Sequence, residues 1–357
     1  MISTQPVLSF GYFKFKKNKI PRNIRRLFYL SWEDAFWDIL LKKKVPKGSF
    51  ILLPDFFCKD VEENIKSHGY KVSHYPIKKN LDADKKSFIE KIRQVKPEVV
   101  VIFHTNGIKS KLFENCEWLA RVTHDIILIE DSVHKIIDPE KINIIKKDHF
   151  VINSLRKVVP LQGSELFGDR EDLDFSTPSF VQSFRYRLKV YFLWVLTILG
   201  WSLVNILPGR LSKKFGLAAE KLMLAGYNLI GDSILPAKGG PGGFLSRRVN
   251  FEKIEKVKRH QVDTYERLLA DLLPLKLFIT VEDKGSMRGF PLILPKNRAN
   301  GILEFIRSKG LLVRFELDDS VWARNQKIIY LPLGIHMTQR KVEEVCRLTR
   351  EAILRNF

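Results

Sequence analysis

The sequence has little cysteine. Three residues in 357, Cys58, Cys116 and Cys346, stand at no metal-ligand spacing, which argues against both a disulfide framework and a thiolate metal centre. No stretch is low in complexity and no repeat of fixed period runs through the chain, so a solenoid or propeller is excluded. The opening "MISTQPVLSFGYFKFKKNK" has no continuous apolar segment, so no secretory leader is expected and a reducing cytoplasm is the simplest setting. Acid is also short: 40 Asp and Glu stand against 61 Lys and Arg, a net charge of +21. Such an excess suits nucleic acid, an acidic membrane surface or a phosphorylated substrate. The basic residues are spread along the whole chain, and no helix-turn-helix, RNA-binding or zinc-finger pattern accompanies them, so nucleic acid is not the expected partner.

One apolar run does exist. "VYFLWVLTILGWSLVNILPG", residues 190–209, carries no charge and is preceded by Arg185, Arg187 and Lys189. Its length approaches the roughly 20 residues of a membrane span. Gly200, Ser202, Asn205 and Pro208 interrupt it, and it sits between globular segments. A buried helix or hairpin is the first expectation, and contact with an anionic membrane surface is the second.

Between about Ser31 and Val158, helical and strand patterns alternate. "SWEDAFWDILLKKK" reads as a helix capped by serine, "SFILLP" as a short buried strand, and "CKDVEENIKSHG" as a helix stopped by glycine. "EVVVIFH", "IILIED" and "HFVINSL" are further strands, with "KKSFIEKIRQVK" and "FENCEWLARVTH" as helices between them. The expected architecture is α/β: a three-layer large domain with a mostly parallel sheet, over residues 1–245, carrying a helical apolar insert at about 176–235. From 246 to 357 a long helix leads into a small C-terminal α/β domain whose strands are "GFPLILP", "LLVRFEL" and "KIIYLPL". "AKGGPGG" between the two is a loop, and lacks the Gly-Lys-Ser/Thr of a P-loop.

In such sheets ligands bind at the carboxyl ends of the strands. Polar residues there carry the chemistry: Asp55, His104 and Asn106, Glu130 and Asp131, and Ser154 to Lys157. A lysine that gives up its proton near neutral pH can form a Schiff base, and a carboxylate can hold a proton on a pyridine nitrogen. Lys157 and Asp131 are that pair of residue types, and Ser154 and the helix start at Ser31 are candidate phosphate ligands.

The order of motifs adds to this. "IEDSVH", "SLRK", the "HTNG" turn and the tail from "RGFPLILP" to "KIIYLPLG" together resemble the DegT–StrS type sugar aminotransferases, a branch of the fold type I pyridoxal-phosphate enzymes. The resemblance covers about 70% of the chain. It implies pyridoxal 5'-phosphate as cofactor, with Lys157 as the Schiff-base lysine and general base. It places Asp131 at the pyridine nitrogen, His134 beside the ring and Ser154 near the phosphate. Ser31 and Trp32 stand where the family has a small Gly-Thr pair facing the phosphate. The ring-stacking position falls on Phe56, Phe57 or Cys58, with Phe57 taken as the first candidate. "GYN" at 226–228 is similar to the family segment whose asparagine reaches the neighbouring subunit's phosphate, which nominates Asn228. The resemblance further implies a homodimer, glutamate as amino donor, and a nucleotide-linked keto-sugar on the way to surface polysaccharide or lipopolysaccharide. It leaves one alternative of another class: a non-catalytic scaffold that keeps the fold and sits on the cytoplasmic face of the inner membrane.

Overall fold

The computed structural model describes residues 1–173, 180–207, 209–231, 236–275, 277–279 and 282–357. Seven strands form the main sheet: β1 (Ile24–Tyr29), β2 (Phe50–Pro54), β3 (Lys71–Tyr75), β4 (Val99–Phe103), β5 (Ile127–Ser132), β6 (His149–Asn153) and β7 (Ser164–Asp169). Their order is β1-β7-β6-β5-β4-β2-β3. β7 runs antiparallel to both neighbours, and all other pairings are parallel. The sheet is therefore mostly parallel, as the alternation of patterns predicts.

Both faces are covered, which explains why the central strands β2 and β4, FILLP and VVVIF, are apolar throughout rather than alternating. Ile51, Leu53, Val99, Val101, Ile129 and Ile152 pack against α1 (Trp32–Lys42) through Phe36, Ile39 and Leu40. The intervening Leu52, Val100, Ile102 and Leu128 pack on the other face against Phe88 and Ile92 of α3 (Lys85–Val95) and Leu119 of α4 (Cys116–Val122). α2 (Lys59–Ser67) joins β2 to β3. Two helix starts are fixed locally by side chains: Ser31 caps α1 by accepting from Asp34 N at 3.0 Å, and Asp84 caps α3 by accepting from Ser87 N at 3.0 Å.

Two long helices, α5 (Phe180–Ile206) and α6 (Gly209–Gly231), form a hairpin after the sheet. The ends of the helical insert, 176–179 and 232–235, lie outside the described residues. The hairpin's helices touch closely at Gly200, where an added Cβ would come within 2.8 Å of Ala219 Cβ. The "AKGGPGG" segment is not loop throughout, because Gly242–Ser246 make a single helical turn that Pro241 starts.

α7 (Phe251–Leu268) leads to the C-terminal layer: β8 (Phe290–Pro295), α8 (Lys296–Ser308), β9 (Gln326–Leu331) and α9 (Gln339–Asn356). β8 and β9 pair antiparallel, and α7, α8 and α9 close a separate core around Leu292, Ile302, Ile329, Val345 and Leu348. "LLVRFEL" forms less strand than its composition suggests. Only Leu311–Leu312 form a two-residue ladder, with Ile2–Ser3 from the chain start, and Phe315 adds a single antiparallel bridge to Ile329. The first residues are thus held in the C-terminal layer.

A candidate cofactor cavity at the strand ends

The carboxyl ends of β5 and β6 open on a cavity of about 440 Å³. Its lining includes Asp131, His134, Ser154 and Lys157, and also Trp32, Phe57, Cys58 and Asn228. Of the residues nominated from sequence, Asp55, Phe56, His104, Asn106 and Glu130 do not line it, and neither does Ser31. Its hydroxyl is occupied as the α1 cap and also donates to Asp34 Oδ2 at 2.8 Å. Phe57 and Cys58 line the wall, whereas Phe56 packs in the core against Phe103 and Trp322. Asn228 lies on α6 of the same chain.

The paired carboxylates that end β5 divide between the two faces of the sheet, because neighbouring residues of a strand point opposite ways. Glu130 faces His104 and His149. Ser110 N donates to His104 Nδ1, so Nε2–H donates to Glu130 Oε1, at 2.7 Å. Ile145 N likewise donates to His149 Nδ1, and His149 Nε2 lies 3.4 Å from Glu130 Oε2. Burial opposes the charge on Glu130, but the two imidazoles outweigh it and hold this carboxyl well below its ordinary range.

Asp131 faces the cavity and is 2% exposed. Oδ1 accepts from Val133 N at 3.0 Å. Among the described residues no ion pair involves Asp131. Burial, with the charge of Glu33 added to it, pushes its pKa up to about 8. A buried carboxyl with a backbone donor and no cation is a site for an external cationic N–H.

Lys157 follows β6 in a short turn that Ser154 begins. Its Nζ donates to Tyr227 Oη at 3.3 Å. Burial lowers the lysine pKa; Tyr227 raises it, and Arg288 and Arg156 lower it further. Burial would raise the pKa of Tyr227, but Lys157, Arg156 and Arg314 overcome it and bring the phenol down to about 7. Arg156 sits 4.3 Å from the centre of the Tyr227 ring and Arg314 5.8 Å from it.

His134 is 3% exposed, and its Nε2 accepts from Arg288 Nη1 at 2.7 Å. Burial, then Arg288 and Lys157, hold its pKa well below the ordinary value, so it is neutral. Nδ1 then carries the proton and has no hydrogen-bond partner among the described residues. The same Arg288 Nη1 donates to Glu316 Oε2 at 2.7 Å.

A strand-end turn delivers Arg288 to this position. After β4, Asn106 and Gly107 both take positive φ, 56° and 83°. A Cβ on Gly107 would lie 2.3 Å from Ser286 O, so only glycine permits the approach. Ser286 Oγ donates to Gly107 O at 2.7 Å, Arg288 N donates to Asn106 O at 2.9 Å, and Asn106 Nδ2 donates to Gly289 O at 2.9 Å. The "HTNG" turn thus clamps the segment before β8 onto the main sheet.

Tyr227, Arg288, Arg314 and Glu316 were not singled out from the sequence. Tyr227 stood inside the "GYN" segment beside the nominated asparagine. Arg314 and Glu316 interrupt "LLVRFEL" at alternate positions, which is the available signal: charges recurring with period two in an apolar strand share one face. Nothing in the sequence around Arg288 points to His134, 154 residues away.

The residues fit pyridoxal phosphate at its ring. Asp131 offers the unpaired carboxyl, Lys157 the amine, and Phe57, Trp32 and Phe103 the aromatic wall. At the phosphate end the fit is partial. Ser154 lines the cavity, but the α1 start contributes the Trp32 indole and the carboxylate of Glu33, whose Oε2 is buried without a hydrogen-bond partner among the described residues. An acid there competes with an anion for the helix N-terminus.

No known family profile matches the chain, and no curated protein matches it in sequence. Solved structures do match in shape. PseC of Helicobacter pylori, an aminotransferase involved in the biosynthesis of pseudoaminic acid, superposes with a TM-score of 0.59 at 12% identity, covering 99% of this chain and 98% of its own. A DegT DnrJ EryC1 StrS aminotransferase of Brucella abortus gives 0.58 at 12% identity, covering 92% and 85%. 3-Amino-5-hydroxybenzoic acid synthase gives 0.58 at 9% identity, covering 93% and 86%. With the seven-stranded sheet, its single antiparallel strand and the C-terminal layer, the chain has the fold of the fold type I pyridoxal-phosphate aminotransferases, the one that the DegT–StrS sugar aminotransferases share.

Proposed function

We propose that the protein is a pyridoxal-phosphate-dependent aminotransferase whose acceptor is a keto-sugar. The observation that carries this reading is Asp131: a buried carboxyl without a cation, on the wall of the cavity that also receives Lys157. The fold shared with sugar aminotransferases supports it. Bound, the cofactor would supply the electron sink and carry the amino group between donor and acceptor. Asp131 would hold the proton on the pyridine nitrogen. Lys157 would anchor the cofactor and then move the proton at the amine-bearing carbon, a role that suits an amine whose pKa burial has lowered. Trp32, Phe57 and Phe103 would keep water from the ring. Arg156 and Arg314 bring positive charge to the same cavity for an anionic substrate group. Glutamate as donor, a nucleotide diphosphate on the sugar, a place in surface polysaccharide synthesis and a homodimer belong to the same proposal.

A second reading, a non-catalytic member that keeps the fold, is favoured by Trp32 and Glu33 at the phosphate end. One experiment separates the two. Purified protein is mixed with pyridoxal phosphate, its absorbance is recorded, and borohydride is added, with Lys157→Ala beside it. A visible band that borohydride fixes to the wild type and that the variant lacks supports the enzyme. Absence of the band from both proteins refutes it in favour of the scaffold.

A further inference from the structure

From Phe184 onward, α5 carries an exposed apolar stripe. Phe184, Leu188, Phe192, Val195, Leu199 and Ile206 are all exposed, Phe192 at 61% and Ile206 at 75%. At 3.6 residues per turn they fall within an arc of about 80°. Val190, Trp201 and Val204 lie on the opposite side, where they are buried against the body of the protein. A core helix of this composition would be covered on all sides. Here only 33% of the most apolar 18-residue window is buried.

Three of the helix's polar side chains bond back to its own backbone. Thr197 Oγ1 donates to Leu193 O at 2.7 Å, Ser202 Oγ to Ile198 O at 2.8 Å, and Asn205 Nδ2 to Trp201 O at 2.9 Å. Such back-bonding lets a hydroxyl or amide enter an apolar medium. Charge is asymmetric as well. Residues 180–231 hold seven basic side chains and one acid, Glu220, a net charge of 7 − 1 = +6. Glu220 is paired with Arg307 at 3.1 Å. Arg185, Lys189, Arg210, Lys213, Lys214 and Lys221 are exposed.

We propose that the α5–α6 hairpin docks on an anionic lipid bilayer, with the α5 stripe in the headgroup and acyl boundary and the basic side chains among the headgroups. The buried side of α5 ties it to the protein body, so the helix lies along the surface rather than crossing it. Charge selects the bilayer over a second copy of the chain. A symmetric contact would set one +6 surface against its twin, whereas an anionic membrane neutralises it. The hairpin also borders the cofactor cavity, since Leu224, Tyr227 and Asn228 of α6 line it. Docking in this way does not depend on the proposed activity.

The test is flotation of the full chain with vesicles, read without any substrate. Phosphatidylcholine vesicles containing phosphatidylglycerol are compared with pure phosphatidylcholine. The double variant Leu188→Glu/Phe192→Glu and the double variant Lys213→Glu/Lys214→Glu are run beside the wild type. Both pairs are exposed, so melting temperature and circular dichroism should stay unchanged. Wild type should float with the anionic vesicles alone. The lysine variant should lose affinity by more than tenfold, since each basic residue near the surface is worth about fivefold. The apolar variant should not float. Wild type that floats with neither vesicle overturns the proposal. So does an apolar variant that still floats with anionic vesicles. If the apolar variant instead turns a dimeric wild type into monomers, with no flotation of either, the stripe is a contact between two copies and the proposal is likewise overturned.

Discussion

Replacing Asp131 by asparagine tests whether this carboxyl is waiting for a cation. With a folded pKa of about 8 against an ordinary value of about 3.9, the cofactor-free protein holds a proton that the unfolded chain has released at every pH between them. By linkage, stability must fall as pH rises through that interval, and stay level above it. Each pH step costs about 1.4 kcal/mol, so the ceiling at pH 7 is about 4 kcal/mol, and relaxation around the group brings this nearer 2 kcal/mol. The amide that replaces the carboxyl keeps the acceptor for Val133 N and has nothing to ionise. The Asp131→Asn variant should therefore be more stable than wild type, by about 3 °C in melting temperature at pH 7 for a chain of this length. At pH 5 the gain should shrink to roughly a third. The assay is thermal unfolding of cofactor-free protein across this range. Added pyridoxal phosphate should then raise wild type more than the variant, because only the carboxylate can hold the pyridinium proton. A gap that is absent, or the same at pH 5 and pH 8, would refute the reasoning, since the carboxyl would then not be isolated.

Two further outcomes follow from the same electrostatics. Tyr227 should ionise with a midpoint near 7 in cofactor-free protein, seen as tyrosinate absorbance that Tyr227→Phe removes. Its folded pKa is depressed, so the stability it adds is complete above about 10 and is lost as pH falls through 7; no absorbance change before pH 9 would count against the Lys157–Arg156–Arg314 cage. Glu130→Gln should cost about 2 kcal/mol by replacing a charged acceptor between two buried imidazoles. Measured in denaturant at pH 7, that loss should disappear as pH drops below the ordinary carboxylate range, because the native Glu130 pKa is lowered.

Much of the fold was legible in the sequence because the signals are local. Apolar runs such as "VVVIF" and "IILI" must be buried on both faces, caps at Ser31 and Asp84 fix helix starts, and alternation of the two patterns forces a parallel sheet. That strand ends carry the ligand-facing residues then places Asp131 and Lys157 at one end of the molecule. What α5 packs against was not legible, since an uncharged helix reads the same whether it is buried or exposed. Neither was the strand partner of Leu311–Leu312, which comes from residues 2–3.

By itself, then, the sequence determined the sheet, its helices and the positions of the carboxyl and the amine, since these depend on periodicity and on chain order. Tertiary structure alone decided the electrostatic setting. Glu130 and Asp131 are neighbours in sequence, yet one is charged between two histidines and the other keeps its proton at neutral pH, because the sheet turns them to opposite faces. Tyr227, Arg288 and Arg314 reach Lys157 and His134 across 70 to 157 residues of chain, held there by helix packing and by the clamp at Gly107. Side-chain ionisation depends on what lies a few ångströms away in space, and folding brings those groups together from distant parts of the chain.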